Sequence, residues 1–92
     1  MLATEGCLVY VLRSERNGRY YIGSSANVLE RLAAHNGGLV KATRHLVPWV
    51  LVYTEPYKDM TLARRREWNL KQQKSRKVIE GLIRSTGESA PM

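Results

Sequence analysis

An Asn17-Gly18 dipeptide separates two short runs of β-forming residues, and this constrains the fold more than any other feature of the chain. Cys7-Leu8-Val9-Tyr10-Val11-Leu12 is rich in β-branched and aromatic residues, and Tyr20-Tyr21-Ile22-Gly23 follows the turn, so the two read as the arms of a β-hairpin. In an antiparallel ladder, side chains directly opposite each other, or an even number of positions away, share a face. An even-length loop centred on Asn17-Gly18 pairs residues whose numbers sum to 35 or another odd number. Tyr10 and Tyr21 meet that condition, which puts their rings on one face and Tyr20 on the other. Cross-strand tyrosines also serve simply to stabilise small sheets, so the pair alone does not indicate chemistry.

The rest of the chain completes an α+β domain. Asn27 with Glu30 three residues on resembles a capping box, with asparagine in the position usual for serine. It opens a first helix whose apolar stripe is Leu29, Leu32 and Ala33 and which Gly37-Gly38 stops. Pro48 to Tyr53 reads as a third strand, with proline tolerated at its start. Asp59 is the N-cap candidate of a second helix running through Lys71, and a third helix over Ser75 to Ile83 buries Val78, Ile79, Leu82 and Ile83. The expected architecture is a small three-stranded antiparallel sheet flanked by three helices, in the order β-β-α-β-α-α. Ninety-two residues make one domain, over 1–84, with the small polar residues 85–92 expected as a disordered tail.

Composition narrows the class. Hydrophobic residues at 43% and charged residues at 25% fit a globular protein and argue against disorder. No run approaches the roughly 20 apolar residues of a membrane-spanning helix. The N-terminus has an early acid, Glu5, and no basic region ahead of an apolar run, so no signal peptide and no membrane association are expected, and the location expected is cytoplasmic. The single cysteine, Cys7, heads an apolar run and is expected as a buried free thiol. Fifteen Lys and Arg against eight Asp and Glu give a net charge of +7, the electrostatic footprint of a protein that binds phosphate. The excess is concentrated late in the chain, at Arg64, Arg65, Arg66, Lys71, Lys74, Arg76 and Lys77. A solvated helix face has the same composition, so charge suggests a partner class and no reaction.

Two helical patterns resist a purely structural account. Met60, Ala63, Glu67 and Leu70 are spaced by three, four and three, which places a carboxylate inside an apolar stripe. A buried carboxylate needs a cation, a set of donors or a metal; an ion pair with a flanking arginine would satisfy it equally. On the first helix Arg31 and His35 are four apart, adjacent on one face beside Val28. A guanidinium beside an imidazole can grip a phosphate and move a proton, although a surface arginine beside a half-buried histidine fits the same spacing.

Taken in order, these residues resemble the GIY-YIG nucleases. Leu8-Val9-Tyr10 and then Tyr21-Ile22-Gly23, the second tyrosine eleven residues on from the first, are similar to the two tripeptides that name the family. Arg31 lies eight residues after Gly23 and His35 four beyond it, where the family carries its arginine and its histidine or tyrosine. Ala63-Arg64-Arg65-Arg66-Glu67 through Leu70-Lys71 resembles the helix that bears the family's metal-binding glutamate, and Ser75 to Ile83 its closing helix. The stretch Gly38 to Trp49, with Ala42-Thr43-Arg44-His45, is similar to the connection found in short stand-alone bacterial members and in the nuclease half of Slx1-type structure-specific endonucleases. The likeness covers about residues 7 to 84. The chain departs from it in having Leu-Val-Tyr for Gly-Ile-Tyr, Ser24 where some members have a lysine, and Ile79 where several have an asparagine. One cysteine cannot build the Cys-rich zinc site of a partner domain.

The resemblance implies a metal-dependent endonuclease acting on DNA, with RNA not excluded and a partner protein or homodimer left open. It implies that Glu67 binds Mg²⁺ or Mn²⁺, Arg31 holds the scissile phosphate, Tyr10 alone or relayed by His35 is the general base, and Tyr21 orients the nucleophile or the phosphate. A tyrosine starts near pKa 10, so that role calls for metal and Arg31 to lower it. Arg44, Lys71 and Lys74 are the expected contacts to flanking backbone, independent of sequence. A binding module without turnover and a subunit that needs a partner are the competing readings.

Overall fold

The structure is a computed structural model that describes residues 2–88. The elements are β1 (Glu5–Ser14), β2 (Tyr20–Asn27), α1 (Val28–Asn36), a 3₁₀ turn (Arg44–Leu46), β3 (Trp49–Tyr57), α2 (Met60–Gln73) and α3 (Arg76–Glu88). They form one antiparallel sheet in the order β2-β1-β3, so the order β-β-α-β-α-α and the α+β class are as expected. Two stretches differ from the sequence reading. β3 continues four residues past Tyr53, because β1 offers it a partner as far back as Cys7, opposite Tyr57. α3 extends over 85–88, where the tail was expected to begin, and residues 89–92 lie outside the described residues. The packed apolar face upstream of Ser85 sustains the helix beyond what its weak helix formers would do alone.

The hairpin register decides what faces what. Partners across β1 and β2 sum to 33, as in Tyr10 with Gly23 and Leu12 with Tyr21, so the loop is centred one residue before Asn17-Gly18. The sum is still odd, and Tyr10 and Tyr21 share a face. Gly18, at φ +77°, takes the left-handed position of the loop, and the Ser14 hydroxyl accepts from the N–H groups of Arg16 and Asn17.

Each face of the sheet has its own core. Leu8, Tyr10, Leu12 and Trp49 pack with Val28 under α1, while Val9, Val11 and Tyr53 pack with Ala63, Leu70 and Ile79 under α2 and α3. Simple alternation would put Trp49, Leu51 and Tyr53 on one side. A register shift between Val11 and Leu12, opposite Val52, separates them: Leu51 packs with the first core and Tyr53 with the second. Cys7 is half-buried rather than enclosed, being near the start of β1 where the sheet has little cover.

Helix ends follow the sequence. The Asn27 side chain accepts from the Glu30 N–H, and Asp59 accepts from the Leu62 N–H. The Ser75 hydroxyl does the same for Val78 at the start of α3. α2 ends at Lys74, which adopts the left-handed conformation at φ 47°.

Candidate active site

The site forms where β2, the edge strand, lets the two faces of the sheet meet. Tyr10 and Tyr21 lie on the α1 face with ring centroids 6.4 Å apart. Ser24 lies on the opposite face, because it is paired with Val9. Gly23 is the hinge of this arrangement: a Cβ there would come within 2.5 Å of the Tyr10 ring and its hydroxyl. The ring thus occupies the space a side chain would take, and only glycine leaves room for it. This gives the glycine of the second tripeptide a steric reason in this chain.

From α1, His35 points inward and is fully buried, so it is more enclosed than a half-buried surface histidine. Its Nε2 is 3.0 Å from the Tyr10 hydroxyl and its Nδ1 is 2.8 Å from Thr43 Oγ1. The Thr43 hydroxyl is directed at the Val40 carbonyl, at 3.4 Å, so its oxygen is left to accept. That assigns the proton of a neutral imidazole to Nδ1, donating to Thr43, and leaves Nε2 to accept from the Tyr10 hydroxyl. Burial lowers the His35 pKa from 6.5, and the Arg31 charge pushes it the same way. The imidazole is therefore neutral at neutral pH and able to take a proton.

Tyr10 is shifted in the other direction. Burial raises its pKa above 10.0, and the neighbouring Tyr21 and Glu67 add to this, while Arg31 beside the hydroxyl opposes them without prevailing. Arg31 alone therefore does not turn Tyr10 into a ready base, and the acceptor built next to it is His35. Arg31, half-buried on α1, supplies positive charge to both groups.

Glu67 approaches from α2. One carboxylate oxygen accepts from Ser24 Oγ at 2.5 Å and the other from Lys71 Nζ at 2.6 Å. The flanking arginines are not its partners, since Arg66 turns instead to Glu55. Lys71 also stands 5.7 Å from the centre of the Tyr21 ring and so links the carboxylate to the tyrosine face. Among the described residues no group of three or more His, Cys, Asp or Glu is arranged to hold a metal ion. Glu67 does fit a hard cation held by one carboxylate, with water and phosphate as its other ligands, and the Lys71 ammonium already marks a cation position on it.

Of the residues singled out from the sequence, Tyr10, Tyr21, Arg31, His35 and Glu67 come together. Lys71 joins them through Glu67, and Lys74 lines a cleft that runs on from Lys71. Arg44 is exposed on the 3₁₀ turn and does not line that cleft. Sequence reasoning missed Ser24 and Thr43, although Ser24 directly follows the second tripeptide and Thr43 lies in the stretch likened to the family's connection into β3. It also missed Asn36, whose side chain bonds both the N–H and the carbonyl of Trp49 and so fixes the end of α1 against β3.

The GIY-YIG catalytic domain, as a family profile, matches residues 6–80. A UPF0213 protein of Xanthomonas campestris is 40% identical over 82 residues, covering 83% of this chain and 78% of its own length. One from Staphylococcus haemolyticus is 38% identical over 76 residues, covering 78% of this chain and 92% of its own length. The structure-specific endonuclease subunit SLX1 of Chaetomium globosum is 38% identical over 69 residues, 67% of this chain but 21% of that longer protein. No solved structure matches. No helix among the described residues is long and apolar enough to cross a membrane. With the profile running from the first strand into the last helix, the chain belongs to the GIY-YIG family of endonucleases.

Proposed function

We propose that the protein is a divalent-metal-dependent endonuclease that hydrolyses DNA phosphodiester bonds and selects its substrate by shape more than by sequence. The observation that carries this reading is the position of Glu67, held by Ser24 with a cationic group on its free oxygen, beside a tyrosine hydrogen-bonded to a neutral buried histidine. A purely binding surface has no use for a carboxylate there, because it would repel phosphate.

In this reading Glu67 holds Mg²⁺ or Mn²⁺, which when bound stabilises the charge developing on the phosphate. Arg31 grips the scissile phosphate. Tyr10 accepts the proton of the attacking water as its own proton passes to His35 Nε2, and Thr43 keeps that nitrogen free to receive it. Tyr21 orients the phosphate or the water. The cations Lys71, Lys74 and Arg44 contact flanking backbone, which gives affinity without sequence readout. The relative named as an endonuclease is a subunit, so dependence on a partner protein is the second reading.

The test is a cleavage panel of branched, flapped, single-stranded and plain duplex DNA with Mg²⁺ or Mn²⁺, run beside Glu67→Ala. Metal-dependent cutting that Glu67→Ala abolishes, with folding and DNA binding retained, is expected. Cutting that survives this substitution would overturn the assignment. DNA binding that never yields a cut unless a second protein is added would favour the subunit reading.

A further inference from the structure

A cleft of about 490 Å³ runs along the free edge of β2, and its walls combine two chemistries. Tyr21, Leu46, Trp49 and Ile79 give it a largely apolar and aromatic interior. Arg19, Lys71, Lys74 and Arg76 give it a cationic rim, and no acidic residue lines it. Arg76 is engaged with Glu80 and Lys71 with Glu67, whereas Arg19 and Lys74 have no acidic partner among the described residues. Such a cleft suits a ligand with a flat apolar part and one or more negative charges. Its volume is in the range of sites that enclose a molecule the size of a nucleotide.

Position identifies which nucleotide. Tyr21 is both a wall of the cleft and a member of the active site, and Lys71 on the rim bonds Glu67. Anything in the cleft is therefore adjacent to the phosphate being cut. In a continuous duplex the bases are stacked and paired, so none could enter. A base that is already unpaired can enter without the cost of leaving the stack.

We propose that this cleft is a subsite for one unpaired nucleotide of the DNA, next to the scissile phosphate, with its base against the apolar wall and its backbone phosphates on Arg19 and Lys74. The proposal rests on the endonuclease reading and supplies a physical cause for shape selection. An exposed tryptophan, Trp68 on α2, is the competing surface on which a base could stack. It does not line the cleft, so the two can be separated.

The experiment measures binding without divalent metal, and therefore independently of cutting. Two duplexes of one sequence are compared, one fully paired and one with a single unpaired 2-aminopurine, by fluorescence anisotropy and by the fluorescence of the base itself. The wild-type protein is expected to bind the DNA with the unpaired base about ten-fold more tightly, in line with the stacking of one base on aromatic side chains, and to change the 2-aminopurine emission. Ala42→Phe, which adds bulk at an exposed position of the cleft wall, should bring the ratio close to one. Lys74→Gly, which keeps the left-handed backbone while removing a rim charge, should lower it in part; its melting curve and that of Ala42→Phe confirm that both fold. Equal binding of the two duplexes by wild type overturns the proposal, as does a ratio lost in Trp68→Ala but kept in Ala42→Phe. Discrimination without cleavage in Mn²⁺ would retain the subsite and overturn the reading of a nuclease active on its own, and cleavage without discrimination would do the reverse.

Discussion

Each face of the sheet joins tyrosine hydroxyls to an ionisable partner, and the two assemblies differ in what that partner can still do. Under α2, Tyr53 and Tyr57 donate to separate oxygens of Glu55, at 2.6 and 2.5 Å, and Arg66 forks onto the same carboxylate, at 2.7 Å through its Nε. Burial raises the Glu55 pKa, but the donors from Arg66, Tyr53 and Tyr57 together outweigh it and the net shift is downward. The tyrosines are raised in turn by burial and by that carboxylate, Tyr57 to about 12. Both carboxylate oxygens and both tyrosine hydroxyl protons are engaged, so the knot fastens α2 to β3 and has no proton to move. Under α1, Tyr10 meets a neutral imidazole with a lone pair to offer, beside a cationic side chain and next to Tyr21 and Thr43, which line a cleft. Two tyrosine clusters thus differ in function because one is closed by a carboxylate and a guanidinium while the other is left open by a histidine.

The same substitution in both clusters should separate them most widely. Tyr10→Phe is expected to lower the cleavage rate by about 10²- to 10⁴-fold, the usual contribution of a positioned acid–base group, and to cost about 1 to 3 kcal/mol of stability as well, because it leaves the buried His35 Nε2 without its donor. Tyr53→Phe removes a hydrogen bond to a charged acceptor and should cost about 1.5 to 3 kcal/mol of stability, with cleavage nearly unchanged. Single-turnover rates and denaturant midpoints on both proteins check this. Equal losses of activity in the two would remove the distinction drawn here.

A smaller effect is expected one bond further out. Thr43→Val leaves the Nδ1 proton of His35 without an acceptor and frees the ring to exchange tautomers. Cleavage should fall about ten-fold, the lower end for losing an outer partner of a functional histidine, and Thr43→Ser should restore it. The acid limb of the rate profile should shift in Thr43→Val, which a merely structural role for Thr43 would not produce.

The pH dependence of stability separates the clusters again. His35 has a lowered pKa when folded, so the unfolded chain binds its proton more tightly; its contribution is present above 6.5 and is lost as pH falls below that value. Glu55 is also lowered, so its contribution holds above 4.5 and is lost on further acidification. Tyr57 is raised, so its contribution is full below 10.0 and disappears as pH climbs toward about 12. A stability plateau between about 6.5 and 10 follows. Urea midpoints should show His35→Gln flattening the first acid step and Glu55→Gln the second. A single acid step, unmoved by either substitution, would contradict the assignment.

How much of this could be read from the sequence differs between the two clusters. Tyr10, Tyr21, Arg31, His35 and Glu67 were legible because hairpin parity and helical spacing put them on defined faces and their order matched a family. Ser24 and Thr43 were not, because a hydroxyl reveals its role only through the partner it reaches, and those partners are 43 and 8 residues away. The Glu55 knot was hidden for another reason. Tyr53, Glu55 and Tyr57 alternate along a strand that was read as ending at Tyr53, and the register shift that turns them toward α2 leaves no compositional trace. Arg66 looked like one more member of a basic run, although it serves the fold rather than the ligand.

The smallest expected effect concerns the two carboxylates directly. Glu55 and Glu67 each hold a basic side chain, but the Lys71 side chain is 45% exposed against 30% for Arg66, and Lys71 adds one bond where Arg66 adds two. An exposed pair of this kind contributes about 0.2 to 1 kcal/mol, so a divalent ion needs only to displace a weak rival to reach Glu67. Lys71→Met should therefore tighten Mn²⁺ binding by no more than about five-fold, read by calorimetry or by electron paramagnetic resonance without DNA. It should also weaken DNA binding and reduce the salt slope by about one, since a phosphate contact is lost. Arg66→Met should leave Mn²⁺ affinity as it is and lower stability instead, because it leaves a half-buried carboxylate short of two donors. If Lys71→Met changed neither metal nor DNA affinity, Lys71 would be one more closed partner, and the openness assigned to this side of the sheet would reduce to Tyr10 and His35 alone.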